Sequence, residues 1–249
     1  MGFVGSSPTP STFLRFVGIY TQTKRAMQNI TLTHDVNTRV FFTSDLHFGH
    51  RNAIRFCNRP CEDVKGMENK IIERWNDKIT ENDHVFVLGD MFWFGDSREV
   101  KRVLKRLQAK KIYIVPGNHD RYETLERMPE WDNRVVVLPL IVNLEVYDVS
   151  SNTHHKFVLS HYPLMTWPRR KSYQPTDAFR AGDVYNLFGH VHSTEDWVSS
   201  DGNCPFAWDQ MDVGCDSNDL TPYSLSEVMG CLNLQDKEQI NICTLRAKK

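Results

Sequence analysis

Residues 85–120 read VFVLGDMFWFGDSREVKRVLKRLQAKKIYIVPGNHD and by themselves indicate most of the fold class. The apolar runs at 85–88 and 112–115 have the length and composition of strands that are buried on both faces. Between them, Ser97–Lys110 has apolar residues at the i, i+3, i+4 and i+7 spacing of an amphipathic helix. This order predicts a right-handed crossover between parallel strands. Each run is followed at once by a polar block, GD or GNHD, so we expect the chemistry at the carboxyl edge of the sheet.

An apolar run followed by a polar block occurs three more times in the chain. Val40–Thr43 precedes DLH at 45–47, the run at 157–159 precedes SH at 160–161, and the run at 185–188 precedes GHVH at 189–192. Together the blocks supply carboxylates, one amide and five of the ten imidazoles of the chain, all of which can bind metal ions. A histidine at a strand end is usually a packed or surface residue, but that interpretation leaves this clustering unexplained. A set of this size is enough for two ions that share a ligand, which is common machinery for hydrolysing phosphate esters.

In this order the blocks resemble the signature of the calcineurin-like metallophosphoesterase family, which reads D-x-H, G-D, G-N-H-D/E, a lone His and G-H-x-H. The resemblance covers about residues 38–230, and the stretches LHFGHRNAIRFCNRP and DVGCDSNDLTPYSL are similar to small bacterial and phage members. It implies an α/β fold in which a two-sheet β sandwich is flanked by helices, with a bimetal site at the carboxyl ends of strands. Met67–Ile79 is a candidate for a second flanking helix, and the β-rich segment Val135–Val149 for the second sheet.

The resemblance also implies which residues hold the metal ions. Asp90 is expected to bridge two divalent ions, because the family places its bridging Asp in the GD block. The other expected ligands are Asp45, His47 and His192 at one position, and Asn118, His161 and His190 at the second. His119 is expected to protonate the leaving group, and the adjacent Asp120 to hold its ring. Nitrogen and oxygen ligands suit Mn, Fe, Zn, Co or Ni better than Ca or Mg, and the resemblance favours Mn.

Residues that follow the motif blocks are candidates for contact with the substrate. They are His50, Arg51, Asn52, Arg121, Arg169 and Arg170. Basic side chains pair with phosphate groups, but capping, packing, a surface salt bridge or a solvated basic loop is an open alternative for these residues. The aromatic stretch Met91–Phe94 allows stacking on a nucleobase, and a core cluster between sheet and helix is the alternative interpretation. A pocket closed by the loop at 167–173 would favour monoesters, and an open basic groove would favour nucleic acid.

The composition limits the class of protein. With 249 residues, 40% of them hydrophobic, and a net charge of −1, the chain is typical of one globular domain and lacks the charge of a strong nucleic-acid binder. No apolar run approaches the roughly 20 residues of a membrane helix, and six Cys without a CxxC pair indicate reduced thiols in a cytoplasm. We expect an N-terminal extension at 1–37, followed by a single domain at 38–249. Residues 1–26 lack the features of a signal peptide, and we expect them to be disordered or dispensable.

These observations predict a metal-dependent phosphoric-ester hydrolase. The resemblance implies a phosphomonoesterase that acts on small nucleotides, such as deoxynucleoside 5′-monophosphates, by in-line attack of a hydroxide that bridges the ions. The alternative is a phosphodiesterase or nuclease acting on cyclic nucleotides or single-stranded nucleic acid, because one fold can host several related activities. A non-catalytic binding protein would be expected to lack ligands or His119, and a structural metal protein would need closed Cys/His sites. The oligomeric state is left open.

Overall fold

Two sheets pack face to face in the computed structural model, which describes residues 27–168, 184–193 and 209–238. The strands of the first sheet, in spatial order, are β10 (Tyr223–Ser224), β2 (Val40–Thr43), β3 (His84–Val87), β4 (Lys111–Ile114) and β5 (Val135–Val137). Strands β2 to β5 are parallel, and β10 pairs antiparallel with β2 at the edge. The expected crossover between β3 and β4 is therefore present.

The second sheet is mixed. Its strands, in spatial order, are β1 (Gln28–His34), β6 (Ile141–Asp148), β7 (Thr153–Ser160), β8 (Val184–Phe188) and β9 (Gln210–Asp212). Only β6 and β7 are antiparallel, and the other neighbours are parallel. Strands β7 and β8 thus end side by side in the same direction, which brings the two blocks that follow them together.

Helices flank the sheets. They are α1 (Arg51–Phe56), α2 (Val64–Lys78), α3 (Ser97–Leu104), α4 (Tyr122–Trp131) and α5 (Leu225–Glu238), with a 3-10 turn at Cys215–Asn218. The Asp96 side chain caps α3 by accepting a 2.8 Å hydrogen bond from Arg98 N. This helix ends at Leu104, earlier than the predicted Lys110, because Lys110 N already bonds to Asp83 O at the start of the neighbouring strand.

The two faces of the first sheet bury different partners. Phe41 of β2 packs in a cluster with Ile71 and Trp75 of α2, whereas its neighbour Phe42 packs in a cluster with Phe157 of the second sheet. Successive residues of a strand point to opposite faces, so a continuous apolar run can fill the helix layer and the space between the sheets at once. This explains why the motif strands read as unbroken hydrophobic sequence.

The observed α/β architecture confirms the predicted fold class, with two differences in detail. The β-rich segment does not form one sheet, because β5 extends the first sheet and β6 belongs to the second. Residues 28–34 pair along β6, although the sequence analysis placed them in the extension at 1–37. Residues 1–26 lie outside the described residues. Within the described part of the chain, the helices are too short or too polar to cross a bilayer.

Candidate metal centre

The polar blocks meet at one end of the sandwich, because each follows the carboxyl end of a strand. Strands β2, β3 and β4 of the first sheet end there, together with β7 and β8 of the second. Backbone hydrogen bonds join the block segments: Asp45 N to Gly89 O (3.0 Å), His47 N to Asp90 O (2.9 Å) and Gly189 N to His161 O (2.9 Å). The fold therefore assembles one site from residues that are far apart in sequence.

Asp90 lies at the centre of this site, and its side chain is 1% exposed. Its Oδ2 is 3.7 Å from His47 Nε2 and 3.5 Å from His161 Nε2, so one carboxylate oxygen faces ring nitrogens on two sides. Its Oδ1 accepts a 2.8 Å hydrogen bond from the backbone N–H of His119. Burial raises the pKa of Asp90, but the hydrogen bond and charge of His161 outweigh it, and the pKa lies below its usual value. The ionised carboxylate has the position of a shared ligand.

Three ligand atoms form the first half of the site beside Asp90. Asp45 Oδ1 is 4.0 Å from His47 Nε2 and 3.7 Å from His192 Nε2, and the two nitrogens are 3.3 Å apart. Metal–ligand bonds of about 2.0–2.2 Å place neighbouring ligand atoms at separations close to these. The three side chains could hold one metal ion.

His161, Asn118 and His190 form the second half. His161 Nδ1 is 2.7 Å from Leu88 O, so Nδ1–H donates to this carbonyl and Nε2 faces the site. Asn118 Oδ1 lies 2.8 Å from that Nε2. The ring of His190 lies 5.1 Å from the ring of His161, measured between centroids. Asn118 and His190 are exposed, so this half is more open to solvent than the first half, in which Asp45 and His47 are buried and the His192 side chain is 27% exposed.

The charges of Asp45 and His47 fit a divalent cation, whereas at His192 the hydrogen bonds to Asp216 and Cys57 outweigh burial and raise the pKa to about 11, so a metal ion bound there would displace a proton. Asp45 Oδ1 is buried, and within the described structure it has no hydrogen-bond partner. Burial raises the pKa of Asp45 to about 7, and burial lowers the pKa of His47 to about 3. A buried carboxylate is costly unless it is paired with a positive charge or a metal, and neutral imidazole is the form that binds metal. A divalent cation would neutralise the carboxylate of Asp45 and bind the His47 ring in the neutral form that it already has.

Five of the expected ligands have a left-handed backbone, which is uncommon for residues other than glycine. The φ angles are 57° at Asp45, 51° at His47, 53° at Asp90, 71° at His190 and 47° at His192. Each such residue costs on the order of 1–3 kcal/mol, and strain of this kind concentrates at functional sites. In an extended strand, the side chains of His190 and His192 would follow the regular alternation between the two faces of the sheet. The left-handed backbone at both residues breaks this pattern, and both rings lie at the site.

Two glycines of the blocks are required because the chain passes close to ligand side chains. A Cβ at Gly117 would overlap the carboxylate of Asp90. A Cβ at Gly189 would overlap the side chains of Ser44 and Asp45. These contacts explain why the polar blocks contain glycine next to their ligands.

His192 is oriented by two residues whose role the sequence analysis missed. Its Nδ1–H donates a 2.6 Å hydrogen bond to Asp216 Oδ2, which leaves Nε2 directed at the first half of the site. Arg59 donates to both oxygens of the same carboxylate, at 2.7 and 2.9 Å. Burial opposes ionisation of Asp216, but the bonds from His192 and Arg59 lower its pKa to about 2. Arg59 lies in the stretch LHFGHRNAIRFCNRP, and Asp216 lies in DVGCDSNDLTPYSL. The resemblance of these two stretches to small bacterial and phage members of the family is the signal that could have identified both residues.

Asp120 has a different role from the predicted one. Its carboxylate does not hold the ring of His119 but accepts hydrogen bonds from three backbone N–H groups. They are those of Asp90 (2.8 Å), Gly117 (2.9 Å) and Met91 (3.1 Å). Burial raises the pKa of Asp120. The side chain thus joins the segment after β3 to the segment after β4, and we correct its predicted catalytic role to a structural one.

Replacing Asp120 with Ala is expected to destabilise the protein and to slow all substrates by the same factor. Each buried N–H left without a partner costs about 1–3 kcal/mol, so the free energy of unfolding should fall by about 3 kcal/mol or more. Urea unfolding would measure the stability, and assays with aryl and alkyl phosphates would measure the two rates. If Asp120→Ala slowed only the substrates with poor leaving groups, Asp120 would take part in the proton transfer to the leaving group.

The aromatic stretch after Asp90 divides between core and site. Met91 and Phe92 are buried, whereas Trp93 is 40% exposed. The Trp93 ring stacks on His50 at 3.7 Å with an angle of 3° and lies 5.0 Å from the ring of His119. The core interpretation therefore applies to the first two residues, and Trp93 borders the site beside the predicted general acid.

The other predicted substrate residues occupy varied positions. Arg51 and Asn52 are exposed in the first turn of α1, and exposed Arg121 packs beside Gly95. His50 Nδ1 is buried without a hydrogen-bond partner among the described residues. Arg169 and Arg170 lie outside the described residues, as does most of the loop at 167–173. Contact with substrate stays a prediction for all six.

Comparison with known proteins agrees with this geometry. Residues 38–220 match the profile of the calcineurin-like phosphoesterase family. The uncharacterized protein MJ1445 of Methanocaldococcus jannaschii is 30% identical over 140 residues, which are 54% of this chain and 78% of that protein. The Gene 66 protein of Mycobacterium phage D29 is 27% identical over 167 residues, 63% of this chain and 79% of that protein. The solved structure of AQ665, a protein of unknown function from Aquifex aeolicus, has a similar fold, with a TM-score of 0.51 at 22% identity over 78% of this chain and 99% of that chain.

Proposed function

The chain belongs to the calcineurin-like phosphoesterase family, and from this premise we propose that it is a phosphomonoesterase of small nucleotides, such as deoxynucleoside 5′-monophosphates. The family implies hydrolysis of phosphoric esters with divalent metal ions. The observation that carries the proposal is the position of Asp90 Oδ2 between His47 Nε2 and His161 Nε2, at 3.7 and 3.5 Å. A carboxylate shared in this way is what a paired metal site requires.

The proposed roles follow from the two halves of the site. Asp45, His47, His192 and the shared Asp90 hold one ion, and Asp90, Asn118, His161 and His190 hold the other. When bound, two divalent ions neutralise phosphate oxygens and lower the pKa of water. Nitrogen and oxygen donors support Mn, with Fe, Zn, Co, Ni or Mg as other ions to test. His119, which is exposed beside Asp90, supplies the proton to the leaving oxygen.

Two features support a small nucleotide as substrate. The Trp93 ring, which stacks on His50, lies 5.0 Å from the ring of His119, the residue that is proposed to protonate the leaving alcohol. A nucleoside has a flat aromatic base that can contact such rings. The net charge of −1 also argues for a small substrate, because a polynucleotide needs an extended basic surface.

A substrate panel tests the proposal directly. Full-length protein with added Mn²⁺ would be assayed on nitrophenyl mono- and diesters, nucleoside and deoxynucleoside monophosphates, cyclic nucleotides and single-stranded oligonucleotides. We expect the highest kcat/KM on the nucleoside monophosphates and loss of activity on chelation. Preference for a diester or an oligonucleotide would replace the phosphomonoesterase with a phosphodiesterase or nuclease. Cleavage of no ester by folded, Mn-loaded protein would overturn the catalytic function.

Trp93→Ala is expected to weaken binding of nucleotides selectively. Stacking on an aromatic side chain contributes about 1–3 kcal/mol per base, so KM for a nucleoside monophosphate should rise about tenfold. The KM for glycerol phosphate, which has no ring, should change little. Trp131→Ala, at the end of α4, is the matched control for loss of a tryptophan elsewhere. An equal rise in KM for both substrates would contradict a role in recognising the base.

A further inference from the structure

A buried arginine lies beneath the first half of the metal centre and takes no part in the proposed reaction. The side chain of Arg59 is 1% exposed. Its Nε and Nη2 donate to the two oxygens of Asp216, at 2.7 and 2.9 Å, in the bidentate geometry that guanidinium favours. Asp216 is itself 2% exposed and accepts the 2.6 Å bond from His192 Nδ1. Through this carboxylate, Arg59 fixes the direction in which the His192 ring points.

The same guanidinium also holds the backbone of the DLH block. Nη2 donates to Asp45 O at 2.7 Å, and Nη1 donates to Leu46 O at 2.9 Å. These carbonyls lie between two left-handed residues, with φ of 57° at Asp45 and 51° at His47. A strained backbone persists only where its surroundings hold it, and here two of the bonds that hold it come from one side chain.

We propose that Arg59, together with Asp216, is a positioning residue that holds Asp45, His47 and His192 in the arrangement that binds one divalent ion. The identity of these three residues as ligands rests on the proposed function. Without the guanidinium, the cation itself would have to order the DLH segment and the His192 ring, and its affinity would fall. Residues that orient metal ligands typically contribute 10–100-fold to metal affinity. Lysine cannot replace the planar fork, because a single ammonium cannot reproduce the bidentate pair together with both carbonyl bonds.

The second half of the site does not depend on this arginine in the same way. His161 is oriented by Leu88 O, at 2.7 Å from its Nδ1, and Asn118 belongs to the segment that Asp120 holds through Gly117 N. The proposal therefore predicts that loss of Arg59 weakens one ion much more than the other. General loosening of the fold would weaken both.

Arg39 provides a matched control, because it makes the same kinds of bond away from the site. Its Nε and Nη2 pair with both oxygens of Asp83, at 3.2 and 2.7 Å, and Nη2 also donates to Lys78 O at 2.7 Å. Arg39 precedes β2 and Asp83 precedes β3, at the opposite ends of these strands from the metal centre. Arg39→Met therefore removes an ion pair between a partly exposed guanidinium and a buried carboxylate, together with a carbonyl bond, without touching a ligand.

The experiment is Mn²⁺ titration of metal-free, full-length protein, with free Mn²⁺ followed by electron paramagnetic resonance, alongside thermal unfolding. Wild-type protein is expected to bind two ions. Arg59→Met should bind one of them 10–100-fold more weakly and the other within about twofold, and Arg39→Met should bind both as wild type does. Asp216→Asn and Arg59→Lys should show the same loss of affinity for one of the two ions. If Arg59→Met does not fold, these two variants test the proposal in its place. Unchanged binding of both ions, or equal weakening of both, would overturn the proposal, whereas failure of wild-type protein to bind Mn²⁺ would overturn the proposed function itself.

Discussion

Asp90→Asn is expected to lower kcat by about 10³-fold or more and to leave the protein unable to hold its full complement of Mn²⁺. Asp90 Oδ2 faces both His47 Nε2 and His161 Nε2, at 3.7 and 3.5 Å. An amide carries no charge and is a poor bridge between two cations, so this change weakens both positions together. Metal ions contribute several kcal/mol to the stabilisation of such transition states, and each 1.36 kcal/mol corresponds to a factor of ten in rate.

The substitution separates ligation from folding, because Asn has nearly the shape of Asp and its Oδ1 can still accept the bond from His119 N. Asp83→Asn is the matched control. Asp83 is another buried carboxylate, and it lies just before β3 while Asp90 lies just after it. Bound Mn²⁺ by elemental analysis, kcat on a nucleoside monophosphate and thermal unfolding would be measured for both variants. If Asp90→Asn kept full metal content and lost no more activity than Asp83→Asn, Asp90 would not be the bridge.

The fold class could be predicted because its signals are local. A short apolar run such as Val85–Leu88 is typical of a strand that is buried on both faces in a covered parallel sheet, and helix spacing between two such runs indicates the crossover. The division of the motif strands between two sheets could not be read in this way. Whether Ile141–Asp148 extends the first sheet or starts a second is decided by packing against distant residues, which carry no mark in the segment itself.

The site was predictable to the extent that its residues follow strands. Asp45 and Asp90 each follow a buried run, and the two neighbouring parallel strands that precede them end at a common edge of the sheet. Arg59 and Asp216 gave no such signal, because they lie 157 residues apart in sequence and Asp216 lies 24 residues from His192, and the bonds that join them exist only in the folded chain. Asp120 was assigned by adjacency to His119, but burial turns its carboxylate toward backbone N–H groups instead. Neighbours in sequence are a weak guide to side-chain partners where the chain turns sharply.

His119→Ala is expected to slow poor leaving groups by about 10²–10⁴-fold, the usual contribution of a general acid, while both metal ions remain bound. The His119 backbone N–H is tied to Asp90 Oδ1 at 2.8 Å, so the residue is anchored at the shared ligand. Its side chain is exposed, and its ring lies 5.5 Å from the ring of His47 and 5.0 Å from that of Trp93. Imidazole can give up a proton near neutral pH, and an alkoxide that leaves a phosphate needs one.

The leaving group then decides how large the effect is. Nitrophenolate is stable without a proton, so His119→Ala should lower kcat/KM on 4-nitrophenyl phosphate by less than about tenfold, against about 10²-fold or more on a deoxynucleoside monophosphate. His154→Ala, at an exposed histidine of β7 that pairs with Glu145, controls for loss of an imidazole elsewhere. Mn²⁺ content would be measured in each variant, because a loss of metal would slow both substrates. Equal slowing of both esters with full metal content would show that His119 acts on the phosphoryl group and not on the departing oxygen.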